Sequence, residues 1–158
     1  MRTTIVAVTC LCLTTFACDP GQAPAERGEP DQGVSFTTSS GERAWLDVRI
    51  ADSDDERARG LMGVELLGDH EGMAFVYDEP TTGSFWMKDT LIPLSIAFVD
   101  DGRIVAVEDM MPCTADPCPT WDAGGAEYTL AIEANAGWFL DQGVGVGDRA
   151  ELEEAGRA

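Results

Sequence analysis

The sequence predicts an α+β domain, mainly antiparallel β, in which a curled sheet or partial barrel carries two short helices. Three observations lead there. Short runs rich in Val, Ile, Phe, Trp and Thr recur between clusters of Gly, Pro and Asp, the pattern of strands and turns. Asp101-Gly102 lies between two apolar runs and is the strongest short-range hairpin signal in the chain. Helical signals are confined to two brief segments with no regular alternation of strand and long helix, which disfavours a parallel nucleotide-binding sheet.

Val34 to Thr38 and Trp45 to Ile50 form a predicted hairpin around Ser39-Ser40-Gly41-Glu42, and in the second run Trp45, Asp47 and Arg49 alternate with Leu46, Val48 and Ile50. Ser53 followed by Asp54, Asp55 and Glu56 reads as a helix start, because acidic residues favour the positive end of the helix dipole. Ala58, Leu61 and Met62 would face the core and Gly63 would end the helix. Gly72 to Tyr77 is the next strand, closed by Asp78-Glu79-Pro80 as a turn. Strands follow at Ser84 to Lys88, Leu94 to Val99 and Arg103 to Glu108. Pro93 cannot donate to a ladder, so it predicts a turn or bulge that carries Asp89 and Thr90 at a sheet rim. Tyr128 to Glu133 is a further strand, Ala136 to Gln142 a helix burying Trp138, Phe139 and Leu140, and Asp148 to Leu152 a closing strand, with the last residues frayed. The run Gly143-Val144-Gly145-Val146-Gly147-Asp148 reads as a turn, since a phosphate loop needs a strand before it and a helix after it.

The 158 residues suit one domain, and a hydrophobic share of 44% is too high for a disordered chain. Against 29 acidic residues stand 10 basic ones, a net charge of −19 that argues against nucleic acid as a partner, because such binding depends on Lys and Arg neutralising phosphates. Residues 1–17 have the layout of a secretory signal peptide: Arg2, an apolar run from Ile5 to Phe16, and a small residue before Cys18. The run is shorter than the roughly 20 residues of a membrane-spanning helix. Thr15-Phe16-Ala17-Cys18 resembles a bacterial lipobox, with Thr15 and Phe16 departing from its usual residues, so Cys18 is a candidate lipidation site and the membrane a partner through that lipid. Ordinary cleavage after Ala17 is the alternative, and both place the mature chain outside the cytoplasm, anchored or secreted to the periplasm. Residues 18–33 have almost nothing to bury and predict a flexible tether, followed by a single domain over 34–158.

Cys10 and Cys12 leave with the signal, so Cys113 and Cys118 remain for the domain. A disulfide between them fits an oxidising compartment, while the Cys-x-x-x-x-Cys spacing differs from the Cys-x-x-Cys of thiol oxidoreductases. His70 stands alone in a polar turn and reads as a solvated residue; a zinc site would need more ligands, so no metal and no cofactor is implied.

Five segments occur in order: Arg59-Gly60-Leu61-Met62, Gly72-Met73-Ala74-Phe75-Val76-Tyr77, Phe85-Trp86-Met87-Lys88-Asp89-Thr90, Ile92-Pro93-Leu94, and Tyr128-Thr129-Leu130-Ala131-Ile132-Glu133 with Ala136-Gly137. Together they resemble the domain of unknown function 192 family, over about Trp45 to Leu152. The third segment matches the family's Trp-Met-Lys-Asn-Thr type hallmark, with Asp89 where the family often has Asn and Ser95 where Asp is common. The resemblance implies an exported or lipid-anchored protein, and the family carries no established activity.

Two functions of different class follow from these residues. As a binding module, Trp86 and Phe85 would offer flat apolar faces and Lys88, Asp89 and Thr90 directed hydrogen bonds, suited to a small polar ligand such as a sugar or wall fragment. Alternation along a strand would set Trp86 and Lys88 on one side and Phe85, Met87 and Asp89 on the other, so a bulge would be needed for all to face one ligand. As a hydrolase, Asp89 and Glu133 would be the acid and base, tuned by Lys88 or Arg59. Docking of another envelope protein on the same rim is the third reading. The missing reactive groups favour binding, since a triad cannot be built on His70 alone.

Overall fold

The computed structural model describes residues 32–154. The predicted signal peptide, Cys18 and the tether as far as residue 31 lie outside the described residues. The elements are β1 (Gln32–Thr37), β2 (Arg43–Ala51), α1 (Asp54–Arg59), β3 (Glu71–Thr81), β4 (Phe85–Trp86), β5 (Leu94–Asp100), β6 (Arg103–Met110), β7 (Thr120–Trp121), β8 (Tyr128–Asn135), α2 (Trp138–Asp141) and β9 (Arg149–Glu154). Seven strands close into a barrel in the order β1-β2-β3-β8-β5-β6-β9, and β9 pairs back onto β1. The mainly antiparallel α+β class holds, and the curled sheet goes further than a partial barrel. Among the described residues the one parallel pair is β2 with β3, reached by the crossover that contains α1. β4 and β7 form a small sheet of their own.

Both predicted hairpins form. Asp101 and Gly102 take φ of 44° and 69°, the signs of a type I′ turn whose twist suits the flanking strands. Ser53 caps α1 through a complete capping box: Glu56 N–H donates to Ser53 Oγ at 3.3 Å, and Ser53 N–H donates to the Glu56 carboxylate at 3.1 Å. The glycine-rich run is a turn, held by Asp148, whose carboxylate accepts the N–H groups of Ser39 and Gly145, each at 2.8 Å.

Strand alternation separates two cores. Every barrel strand contributes to the interior, which includes Val34, Phe36, Leu46, Val48, Ala74, Ala97, Val99, Ile104, Ile132 and Ala150. The opposite faces of β3, β8 and β5 form a second core with Met73, Phe75, Ile96, Phe98, Tyr128 and Ala131, covered by Leu61, Leu67, Met87 and Ala123 from the loops. β5 is therefore buried on both faces from Leu94 to Val99, which explains why its sequence is an apolar run rather than an alternation.

Four expectations are corrected. α1 ends at Gly60 and buries none of its residues; Ala58 is exposed, and Leu61 reaches the outer core only from the turn beyond the helix. The predicted turn at Asp78-Glu79-Pro80 is instead the far end of β3, where the pairing with β8 shifts register between Val76 and Thr81 and so accommodates a proline. Ser84–Lys88 contracts to Phe85–Trp86 and joins β7 rather than the main sheet. In α2 Leu140 is 83% exposed, because a single helical turn can aim only Trp138 and Phe139 into the barrel.

There the Phe36 ring meets Trp138 and Phe139 at centroid distances of 5.4 and 5.8 Å. Phe36→Ala removes the ring that fills this contact, and a loss of about 3–5 kcal/mol in unfolding free energy is expected in urea titration.

Candidate functional site

The candidate site begins where β4 leaves the outer core. Phe85 packs edge-on against Phe75 and Phe98, with centroids 5.0 and 5.7 Å away, and the Tyr128 hydroxyl donates to the Gly83 carbonyl at 3.1 Å. Burial raises the pKa of both Tyr77 and Tyr128, whose rings meet edge to face beneath this stretch. Alternation then acts as the sequence implies: Met87 is buried, while Trp86 and Lys88 point outward. Trp86 remains 49% exposed, and the Lys88 ammonium lies 5.4 Å from its ring centroid in a cation–π contact. Trp86 is thus a surface platform, and the core anchors of the motif are Phe85 and Met87.

After Met87 the chain turns sharply. Thr90 N–H donates to the Met87 carbonyl at 3.3 Å, and Asp89 sits at φ 54°, a left-handed conformation that Asp and Asn tolerate better than other side chains bearing a Cβ. The Asp89 carbonyl accepts Gly63 N–H at 2.9 Å, which ties the turn to the segment after α1. The Met87 carbonyl also accepts Cys113 N–H at 3.3 Å. Cys113 and Cys118 are disulfide-bonded, with Cα atoms 5.5 Å apart, so the sequence expectation of a structural clip holds. Turn and clip border an open cavity of about 220 Å³ lined by Lys88, Asp89, the two cysteines and Thr114, Ala115 and Asp116 between them.

The structure brings some predicted residues together and separates others. Lys88 and Asp89 share the cavity and Trp86 flanks it through Lys88. Thr90 is buried, and its hydroxyl donates to the Lys88 carbonyl at 3.4 Å, so it shapes the turn rather than facing a ligand. Arg59 is exposed and outside the cavity lining. Arg57, from the same helix, pairs with Asp54 at 2.5 Å, donates to the Val76 carbonyl and stacks over Tyr77. Glu133 lies in β8 between Met73 and Ile96 of the neighbouring strands, only 4% exposed. Among the described residues no hydrogen bond joins its side chain to Asp89, and Glu133 is not part of the cavity lining that includes Asp89. Burial alone pushes the Glu133 carboxyl up to about 8. His70 is an exposed turn residue whose carbonyl accepts Asp47 N–H.

Sequence reasoning missed the Met87 carbonyl, because no side chain signals a backbone acceptor, and it missed Asp116. It also left Ser95 without a role. Ser95 is 1% exposed; its hydroxyl donates to Asp109 and accepts Gly137 N–H at 2.8 Å. A lone hydroxyl inside an apolar strand was the available signal, since a buried polar group requires a partner. Among the described residues no group of three His, Cys, Asp or Glu side chains could hold a metal ion, and no helix is long and apolar enough to cross a membrane.

The fold and rim define a class: a small closed β-barrel domain whose loop-covered outer face ends in a charged, disulfide-clipped rim. Residues 35–152 match the family model DUF192, described as an uncharacterized ACR, and the chain belongs to that family. A crystal structure of a protein of unknown function from Novosphingobium aromaticivorans DSM 12444 is 33% identical, with a TM-score of 0.69 over 75% of this chain and 83% of that one. Another, from Sinorhizobium meliloti 1021 and provisionally described as a transcription regulator, is 29% identical, with a TM-score of 0.70 over 78% and 95% of the two chains. No curated protein matches the chain.

Two measurements follow. The Glu133 carboxyl is raised on folding, so between its ordinary value of 4.5 and about 8 the native state holds a proton that the unfolded state has lost. Its contribution is full below about 4.5, falls as pH rises and levels off above about 8. Glu133→Gln should remove this part of the decline, on the order of a few kcal/mol, when denaturation is compared with wild type across that window. Cys113→Ser opens a short loop and should cost roughly 2 kcal/mol in unfolding free energy, with faster amide exchange at Lys88 and Asp89.

Proposed function

We propose that this protein is an exported domain, held at a membrane surface by a lipid on Cys18, whose rim binds a small polar ligand such as a sugar or wall fragment. The observation that carries the binding reading is the shared cavity: Lys88 and Asp89 face one space with Asp116 instead of diverging across a strand. One ammonium and two carboxylates at its wall suit a ligand bearing several hydroxyl or amino donors and one acceptor or anionic group. Trp86 adds a half-exposed aromatic face beside the cavity, a common complement to a sugar ring. Export is supported by the signal-like layout of residues 1–17 and by the disulfide, which persists in oxidising compartments.

The test is a thermal-shift screen with amino sugars, their oligomers and muramyl peptides, repeated on Trp86→Ala and Asp89→Ala. Removing the Asp89 carboxylate should weaken a responding ligand by roughly tenfold or more, the scale of one charge-assisted hydrogen bond. If both variants keep every wild-type response and melt normally, the rim is not the site. Intact mass of the mature chain should show diacylglycerol on Cys18, and a chain without it removes the anchor.

A further inference from the structure

The barrel closes weakly at one seam. β6 pairs with β9 only at Arg103 and Arg149, and two backbone bonds between Ile104 and the Gly147-Asp148 turn carry the junction slightly further. From Ala106 to Met110, β6 pairs with β5 alone among the described residues, and Val105 is the bulged residue that precedes this stretch. α2 and the turn after it stand opposite this edge without bonding to it, which leaves an open groove of about 210 Å³. Its two walls differ in chemistry. On the α2 side Leu140 and Val146 are 83% and 67% exposed, and they stand on a fixed turn, since Val144 N–H donates to the Phe139 carbonyl at 2.8 Å. On the strand side are Val107, Glu108 and Asp109, and Ser95 orients the Asp109 carboxylate from beneath. Among the described residues no Lys or Arg lines the groove.

We propose that this groove receives an extended segment of a partner protein, added as a strand along the free edge of β6. The segment would alternate apolar residues, seated against Leu140 and Val146, with Lys or Arg on its other face, meeting Glu108. An unpaired strand edge supplies backbone donors and acceptors at fixed spacing, the physical basis of strand addition, and the five residues Ala106–Met110 offer an edge of about 17 Å. Charge complementarity selects a basic occupant: the groove is acidic, and the whole chain carries −19, which draws cationic segments at long range. It also disfavours a second copy of this chain, whose own Glu108 and Asp109 would meet their like across the pairing. The site is separate from the Lys88–Asp89 rim, and no residue lines both.

The probe is a positional-scanning hexapeptide library screened on the full exported protein, with the strongest peptide labelled for fluorescence anisotropy. Enrichment of Lys or Arg alternating with Val, Ile or Leu is expected, and the alternate amides of Ala106–Met110 that face away from β5 should gain exchange protection in the complex. Leu140→Asp and Glu108→Lys, both at exposed positions, should each weaken binding tenfold or more while melting as wild type. N-methylation of alternate peptide amides should do the same on one set of positions, and Asp89→Ala should bind unchanged. No enrichment, equal binding of acidic peptides, tolerance of N-methylation at both sets of positions, wild-type affinity in both groove variants, or concentration-dependent dimers through β6 would each overturn the proposal.

Discussion

The rim depends on one backbone carbonyl. Met87 buries its side chain in the outer core, and its carbonyl accepts two N–H groups, from Thr90 within its own turn and from Cys113 of the disulfide loop. The first bond reverses the chain and sets Asp89 in a left-handed conformation; the second brings the clip alongside. Lys88 and Asp89 therefore occupy a position defined by core packing, although both are exposed. Binding groups held in this way lose little freedom when a ligand arrives, which is the energetic use of a rigid support.

Met87 can serve as that anchor because the central strands are buried on both faces. The interior is common to all seven strands, whereas the outer core is centred on β3, β8 and β5, where the loops fold back over them. Two-sided burial leaves little room for polar groups, and two exceptions show how they are handled. Ser95 is satisfied by Asp109 and by Gly137 N–H, and so couples β5 to the start of α2. Glu133 takes the other course: flanked by Met73 and Ile96 on the neighbouring strands, it has its carboxyl raised by burial, which favours the neutral form over an uncompensated charge.

The barrel is not equally closed around its circumference. β3, β8 and β5 pair over long registers, while β6 and β9 meet at one position and rely on α2 and its turn to fill the seam. Trp138 and Phe139 enter the interior there, and the Trp138 indole Nε1 has no hydrogen-bond partner among the described residues. Leu140 and Val146 remain outside. The same short element thus closes the core on one side and presents an apolar wall on the other.

The sequence by itself determined most of the barrel strands, both hairpins, the helix start at Ser53, the disulfide and the family, because each is written in local chemistry: apolar runs, an Asp-Gly turn, acidic residues after a serine and paired cysteines. It also placed Phe85 and Met87 opposite Trp86 and Lys88, since strand alternation is a local rule. Tertiary structure decided the rest. Only strand pairing could show that the sheet closes, and only its second layer of loops could bury Glu133 and so raise its carboxyl. Which residues share a cavity likewise depended on backbone bonds between Met87, Cys113, Asp89 and Gly63, segments far apart in the chain. Side-chain patterns encode what is buried, but they do not encode which backbone carbonyl meets which amide.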